Sequence, residues 1–228
     1  MSAPAEQRQD MASSTALVRT LGLVSLICGI LIVGAYQLTL PAVTENKRIK
    51  LERAVFQVLP GATSLKTYVA SRSGIQPATD AVPVGAVKFY AAYDAAGQLK
   101  GIAAEGAARG YADMVRVLYA YDPACQCISG MGVVTMRETP GIGDKVYTDQ
   151  AFIANFKALD ARLKDDLAAL AHDIVTVAHG KKANPWEVDA ISGATITSRA
   201  IGRGINDSAR VLLPLLYPHI AQLRSPPQ

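Results

Sequence analysis

Cysteine and histidine are scarce in this chain. Three of each (Cys28, Cys125, Cys127; His172, His179, His219) are scattered through 228 residues. Such a set is too thin for a zinc or iron–sulfur ligand cluster, so no metal site is expected. The chain also lacks a strand followed by Gly-x-Gly-x-x-Gly, so no nicotinamide site is expected either. Basic residues exceed acidic ones only by 23 to 19, a net charge of +4. They do not gather on an Arg-rich face interleaved with aromatics, which speaks against a nucleic-acid partner. Charged residues make up 18% and apolar ones 50%. A chain of this size supports one substantial core plus an anchor, and is short for two catalytic domains.

Charge is missing altogether from Thr20 to Leu40, TLGLVSLICGILIVGAYQLTL. That length crosses a bilayer core of roughly 30 Å, so residues 20–40 are expected to form a single transmembrane helix in contact with lipid. A buried core helix of this kind is hard to match in so small a domain. A cleaved signal peptide usually has a shorter apolar region, and the segment after Leu40 lacks the small-x-small cleavage pattern. Cys28 lies inside the run and acts as a small hydrophobe. Flanking charges, Arg8 and Arg19 before the run and Lys47, Arg48, Lys50 and Arg53 after it, place the following domain in the cytoplasm by the positive-inside rule.

Beyond the anchor, Asn46 to Leu59 mixes apolar and charged positions and stops at Pro60-Gly61, the pattern of an amphipathic helix. Ser71 to Pro83 is a loop. Ala86–Tyr93 and Leu99–Ala104 flank a turn at Asp94–Gln98, and Asp113–Tyr121 and Ile128–Met136 flank another at Asp122-Pro123. These are two β-hairpins of one antiparallel sheet. Cys125 and Cys127 follow that second turn. A disulfide, redox chemistry and two unpaired thiols all stay open for them, because alternation along a strand puts both on one face without implying chemistry. Asp149 to Leu170 is expected to be helical, since Phe152, Phe156, Leu159, Leu163, Leu167 and Leu170 recur at spacings of three and four. The two Phe residues read as core. A short β piece at Ile174–Ala178 and a helix from Thr195 or Ile196 to Leu216, which Pro214 kinks or shortens, complete the chain. The fold class is α+β: antiparallel hairpins packed with helices behind one N-terminal transmembrane helix. The divisions are an N-terminal tail (1–19), the span (20–40), a helical connector (41–70) and one domain (71–228).

Chemistry concentrates where Asp189-Ala-Ile-Ser192-Gly193-Ala194-Thr195 runs into the last helix. Unpaired amides and the helix dipole make such a start, with Gly in the turn before it, ready for a phosphate. Ser192, Thr195, Thr197 and Ser198 add hydroxyls. Plain N-capping by those hydroxyls explains the same composition. Upstream, Arg137-Glu138-Thr139-Pro140-Gly141-Ile142-Gly143 supplies a Pro-preset turn whose glycines let backbone approach a flat ring.

Ser192-Gly193-Ala194-Thr195 with Asp189 resembles the flavinylation motif of the FMN-binding domain family, and Glu138-Thr139-Pro140-Gly141-Ile142-Gly143 resembles that family's flavin-side segment. With the anchor, the chain from about Thr15 to Leu216 is similar to G subunits of Rnf-type electron-transport complexes. The resemblance implies FMN joined to Thr195 by a phosphoester, placed there by a flavin transferase drawing on FAD, with Asp189 serving the modification. It implies Ser192, Gly193, Ala194, Glu138, Thr139, Pro140 and Gly141 as further cofactor-binding residues. No residue is expected to be catalytic by itself. The subunit would relay electrons, among other membrane and peripheral subunits, in a translocase coupling ferredoxin and NAD chemistry to sodium or proton movement. A C subunit of the sodium-pumping NADH:quinone reductase and a stand-alone membrane-bound flavin reductase are the alternatives. The resemblance also puts the FMN domain on the periplasmic side of the cell inner membrane, against the charge count.

Overall fold

The computed structural model describes residues 13–79 and 83–224. The chain divides into two compact units, the first ending at Ile49 and the second beginning at Lys50. Helix α1 (Ser14–Val58) runs through that division with Pro41 inside it. In the first unit its side chains are exposed on every side, as at Leu21, Leu26, Ile30 and Leu31. Among the described residues it is the one helix long and apolar enough to cross a membrane. Continuous backbone bonding without a core suits lipid, where every amide must be satisfied within the segment.

The second unit is built on a seven-stranded antiparallel sheet. Its strands are β1 (Ser64–Ser71), β2 (Gly74–Pro77), β3 (Val87–Tyr93), β4 (Leu99–Arg109), β5 (Met114–Asp122), β6 (Cys127–Thr135) and β7 (Leu159–Asp160). They lie in the order β2-β1-β3-β4-β5-β6-β7. Strands β3 to β6 are the two hairpins read from the sequence. Strand β1 falls where a helical connector was expected, because that helix ends at Val58 and Ser64–Ser71 then pairs along β3 from Ser64↔Tyr93 to Ala70↔Val87.

Both faces of this sheet are covered, which is why its strands are so apolar. On one face Phe89, Ile102, Val117, Tyr119 and Ile128 join a core completed by α3 (Thr195–Leu216) through Ile201, Ile205, Leu212 and Leu213. On the other, Tyr90, Ala92, Ala103, Leu118 and Ala120 meet Val55, Val58 and Leu59 at the end of α1. The period of two along β5 divides these sets. Helix α3 crosses β4 so closely that a Cβ on Gly106 would overlap the Gly204 carbonyl. Only glycine permits that contact. The approach is locked by Ser208, whose hydroxyl donates to the Glu105 carbonyl (2.7 Å) and bonds the Tyr119 hydroxyl (3.0 Å). Pro214 does not end α3 early, since the helix continues to Leu216.

The expected helix over 149–170 does not form. Helix α2 (Gln150–Ala154) makes little more than one turn, capped by the Asp149 carboxylate on the Phe152 amide (2.9 Å). Asn155 then takes the carbonyls of Ala151 and Phe152 with its own side chain. Asp160 Oδ1 captures the Arg162 amide, Asp166 Oδ1 captures the Ala168 amide, and Leu167 turns left-handed at φ 57°. Short acidic side chains bonding nearby backbone compete with the helix ladder and win here. The resulting loop is closed by a bridge between Leu163 and Leu170. Its apolar residues still reach the core, with Phe152 and Phe156 edge to face at 5.3 Å. A small parallel pair, β8 (Val175–Val177) and β9 (Glu187–Asp189), leads into the turn before α3.

Candidate functional site

Two turns of the same chemistry meet at the start of α3. In the first, the Thr139 carbonyl accepts from the amides of Ile142 (3.2 Å) and Gly143 (3.0 Å), with Pro140 second and Gly141 third at φ 77°. That is the residue pattern of a type II turn. In the second, β9 ends at Asp189 and the Ala194 amide returns to the Ile191 carbonyl (3.1 Å) across Gly193 at φ 81°. A side chain at Gly193 would be strained in that left-handed conformation.

The hydroxyls around the helix start are placed for different tasks. Ser198, fully buried, donates to the Ala194 carbonyl (2.9 Å) and accepts from the Ile191 amide (3.1 Å), so it staples the turn to the helix. Thr197 donates to Glu138 Oε2 (3.0 Å), while Glu138 Oε1 accepts from the Ala112 amide (3.2 Å). Glu138 therefore ties the β4–β5 turn to the first turn of α3. Thr195 reaches the Ile191 carbonyl only at 3.5 Å, the limit of a useful hydrogen bond. The N-cap is Ala194, and no side chain caps the helix. N-capping by Ser or Thr thus does not account for this stretch, and the first-turn amides of α3 are those a helix leaves without an internal partner.

These elements enclose a cavity of about 560 Å³ lined by Tyr111, Glu138, Thr139, Ile142, Gly143 and residues 193–197. Its size falls within the usual span of cofactor sites. Of the residues singled out in the sequence, Glu138, Thr139, Gly193, Ala194 and Thr195 line it, whereas Pro140, Gly141, Ser192 and Asp189 do not. Pro140 and Gly141 shape the turn instead. Asp189 accepts the Gly180 amide at 2.7 Å and lies 3.7 Å from His179 Nδ1. Tyr111, Ile142, Gly143, Ile196 and Thr197 complete the wall. Of these, Ile142 and Gly143 stand in the flavin-side segment and Thr197 among the helix-start hydroxyls read from the sequence, whereas Ile196 was not singled out. Tyr111, 68% exposed at the β4–β5 turn, was not read as a site residue.

Glu138 is the sole charged residue in that wall. An anion held there would rest on backbone amides and the helix dipole rather than on Lys or Arg. Uncapped amides beside the Thr195 hydroxyl, facing an apolar and aromatic hollow, fit a phosphate-bearing group with a flat ring system. Cys125, in the turn between β5 and β6, and Cys127, the first residue of β6, form a disulfide with Cα atoms 5.2 Å apart. Of the three fates left open by the sequence, the structure shows this one. Cys125 sits in the turn rather than on a strand.

The sequence profile of the FMN-binding domain matches residues 110–210, a stretch holding the whole cavity wall. Over 207 residues the chain is 25% identical to the G subunit of the proton-translocating ferredoxin:NAD(+) oxidoreductase complex of Clostridium ljungdahlii, covering 88% of this chain and 92% of that one. It is 29% identical over 195 residues to the G subunit of the ion-translocating oxidoreductase complex of Pasteurella multocida, covering 85% and 90%. The crystal structure of Shewanella oneidensis NqrC superposes with a TM-score of 0.57 at 21% identity, covering 73% of this chain and 94% of that one, which establishes the fold. The profile therefore spans the cavity, and the relatives similar to this chain along most of its length are G subunits of ion-translocating oxidoreductase complexes.

Proposed function

We propose that this chain is a membrane-anchored electron-transfer subunit that carries FMN, joined by a phosphoester to Thr195, in an Rnf-type complex coupling ferredoxin and NAD chemistry to sodium or proton translocation. The observation that carries the reading is the start of α3, where no side chain caps the helix and Thr195 lines the cavity. FMN, when bound, supplies the electron-transfer chemistry. The residues of the chain then hold and orient. First-turn amides of α3 would hold the phosphate and counter its charge, since no Lys or Arg stands in the cavity wall. Tyr111, Ile142 and Ile196 give apolar surface for a ring and keep water from one side of it. Thr197 and the Ala112 amide both donate to Glu138, which keeps that carboxylate occupied beside an anion.

Attachment is a transfer in which the Thr195 Oγ–P bond forms, the P–O–P bridge of FAD breaks, AMP leaves and the hydroxyl proton is lost. A separate flavin transferase would perform it. Asp189 stands outside the cavity, so we assign it to recognition by that enzyme rather than to the flavin. The domain would face the periplasm, and electrons would pass to and from the other subunits of the complex. The decisive experiment is mass spectrometry of the peptide containing Thr195 after expression with a flavin transferase. The expected mass is that of the peptide plus FMN less water, with a fluorescent band surviving denaturing electrophoresis and lost in Thr195→Ala. An unmodified Thr195 peptide in a flavin-loaded preparation would refute the covalent link. A preparation with no flavin at all would refute the electron-carrier reading.

A further inference from the structure

A second redox-capable group lies outside the cavity, in the segment Cys125-Gln126-Cys127. The bond there joins residues two apart in sequence. The stabilising effect of a disulfide grows with the loop it closes, and this loop encloses Gln126 alone. Hairpin pairing already holds the same place, since Cys127 sits opposite Asp122 in the β5–β6 register. As a staple the bond is nearly redundant. The two sulfurs are also unequal, Cys125 being exposed and Cys127 only 9% exposed.

Between them Gln126 is held at φ 52°, a left-handed conformation uncommon for a residue with a side chain. Its side chain is fastened at both ends, with Nε2 donating to the Tyr217 hydroxyl (2.8 Å) and Oε1 accepting from the Leu163 amide (3.3 Å). Its carbonyl accepts from the Ala161 amide (3.1 Å). Cys125 Sγ lies 3.7 Å from the Asp122 carbonyl. A disulfide sulfur has no proton to give, but the thiol formed on reduction would find that acceptor in place. The adjoining groove carries Arg162, Lys164, Asp165 and Asp166, a set of balanced sign. Access rather than charge therefore distinguishes the two sulfurs.

We propose that Cys125–Cys127 is a thiol–disulfide exchange site whose substrate is an external dithiol, entered at Cys125. A thiolate of the dithiol attacks Cys125 Sγ, the Cys125–Cys127 bond breaks, and Cys127 leaves as a thiolate that takes up a proton. The second thiol of the reductant then attacks its own sulfur in the mixed disulfide. Cys125 is released as a thiol, the reductant becomes a disulfide, and two electrons have entered the protein. Reduction frees Gln126 from its ring and with it the contacts to Leu163 and Tyr217. The exchange stands apart from the flavin, so failure of either assignment leaves the other intact.

The test uses the full chain in detergent, folded, in a Cys28→Ser background, with thiols counted by the gel shift of a polymer-linked maleimide. Before reductant no thiol should label. In about 1 mM reduced dithiothreitol both should label together without denaturant, as exposed disulfides of higher potential do. In single variants, Cys125 (with Cys127→Ser) should form a mixed disulfide with glutathione disulfide at least ~10-fold faster than Cys127 (with Cys125→Ser), following accessibility. The double variant Cys125→Ser/Cys127→Ser should melt within about 3 °C of the parent, a shift equal to roughly 1 kcal/mol or less for a domain of this size. Labelling before reductant, reduction only after unfolding, equal exchange rates, or a much lower melting point would each overturn the proposal.

Discussion

At the scale of single residues, the hydroxyls of Thr195, Thr197 and Ser198 around the start of α3 carry distinct tasks although they look interchangeable in the sequence. Ser198 has the most to lose, because its hydroxyl is buried and serves both the Ile191 amide and the Ala194 carbonyl. Replacing it by Ala orphans a buried amide, which costs about 1–3 kcal/mol. Thermal unfolding of Ser198→Ala should show that loss, and FMN content should fall with it as the Gly193 turn relaxes. Glu138 is a positioning residue, and its two variants separate charge from geometry. Glu138→Gln retains an oxygen to accept from either Thr197 or the Ala112 amide, so FMN content should fall less than in Glu138→Ala, which breaks both links. Equal loss in the two variants, measured as flavin absorbance per protein, would mean that the charge itself is what the site requires.

Among elements, the crossing of α3 over β4 leaves no room for a side chain. A methyl at Gly106 would meet the Gly204 carbonyl, and overpacking of this kind costs roughly 1–3 kcal/mol. Gly106→Ala should therefore melt several degrees below the parent in a thermal scan. The 159–171 loop offers a test by pH. Burial raises the Asp160 carboxyl, but the Arg162 side chain and amide, at 2.9 to 3.1 Å, outweigh it and hold the group below the ordinary range. Because the folded form is the more acidic, the stabilisation is present above the unfolded value of about 3.9 and is lost as pH falls through the folded one. The gap in melting temperature between the parent and Asp160→Asn should be widest near neutrality and close in acid; a gap that stays constant would deny the carboxylate its role. The same loop marks where sequence reading stops. Hairpins β3–β4 and β5–β6 were legible because alternation and turn residues agree, and α3 because its apolar period runs unbroken for most of its length. From 149 to 170 the apolar spacing also matched a helix. There the outcome was set by Asn155, Asp160 and Asp166 bonding their own backbone, and by contacts such as the Asp160 amide on the Pro185 carbonyl (3.0 Å). Tyr111 reaches the cavity from the β4–β5 turn, which Glu138 ties to the start of α3.

For the whole molecule, two physical arguments conflict over which side of the membrane receives the second unit. Lys47, Arg48, Lys50 and Arg53 follow the apolar run against Arg8 and Arg19 before it. By count alone this retains the domain inside. The rule weakens for large translocated domains, however, and the segment from Lys50 onward is a folded unit of 179 residues. The covalent attachment of FMN proposed above would serve most where a dissociated flavin is diluted beyond recovery, which is true outside the cell membrane and not within it. We therefore expect an alkaline phosphatase reporter fused after Gln228 to be active in intact cells, and a cytoplasmic reporter at the same point to be silent. Removing two of the four basic charges, as in Lys47→Gln with Arg48→Gln, should leave that result unchanged or strengthen it. The reverse pattern, an active cytoplasmic reporter, would place the domain inside and require the flavin to be attached there.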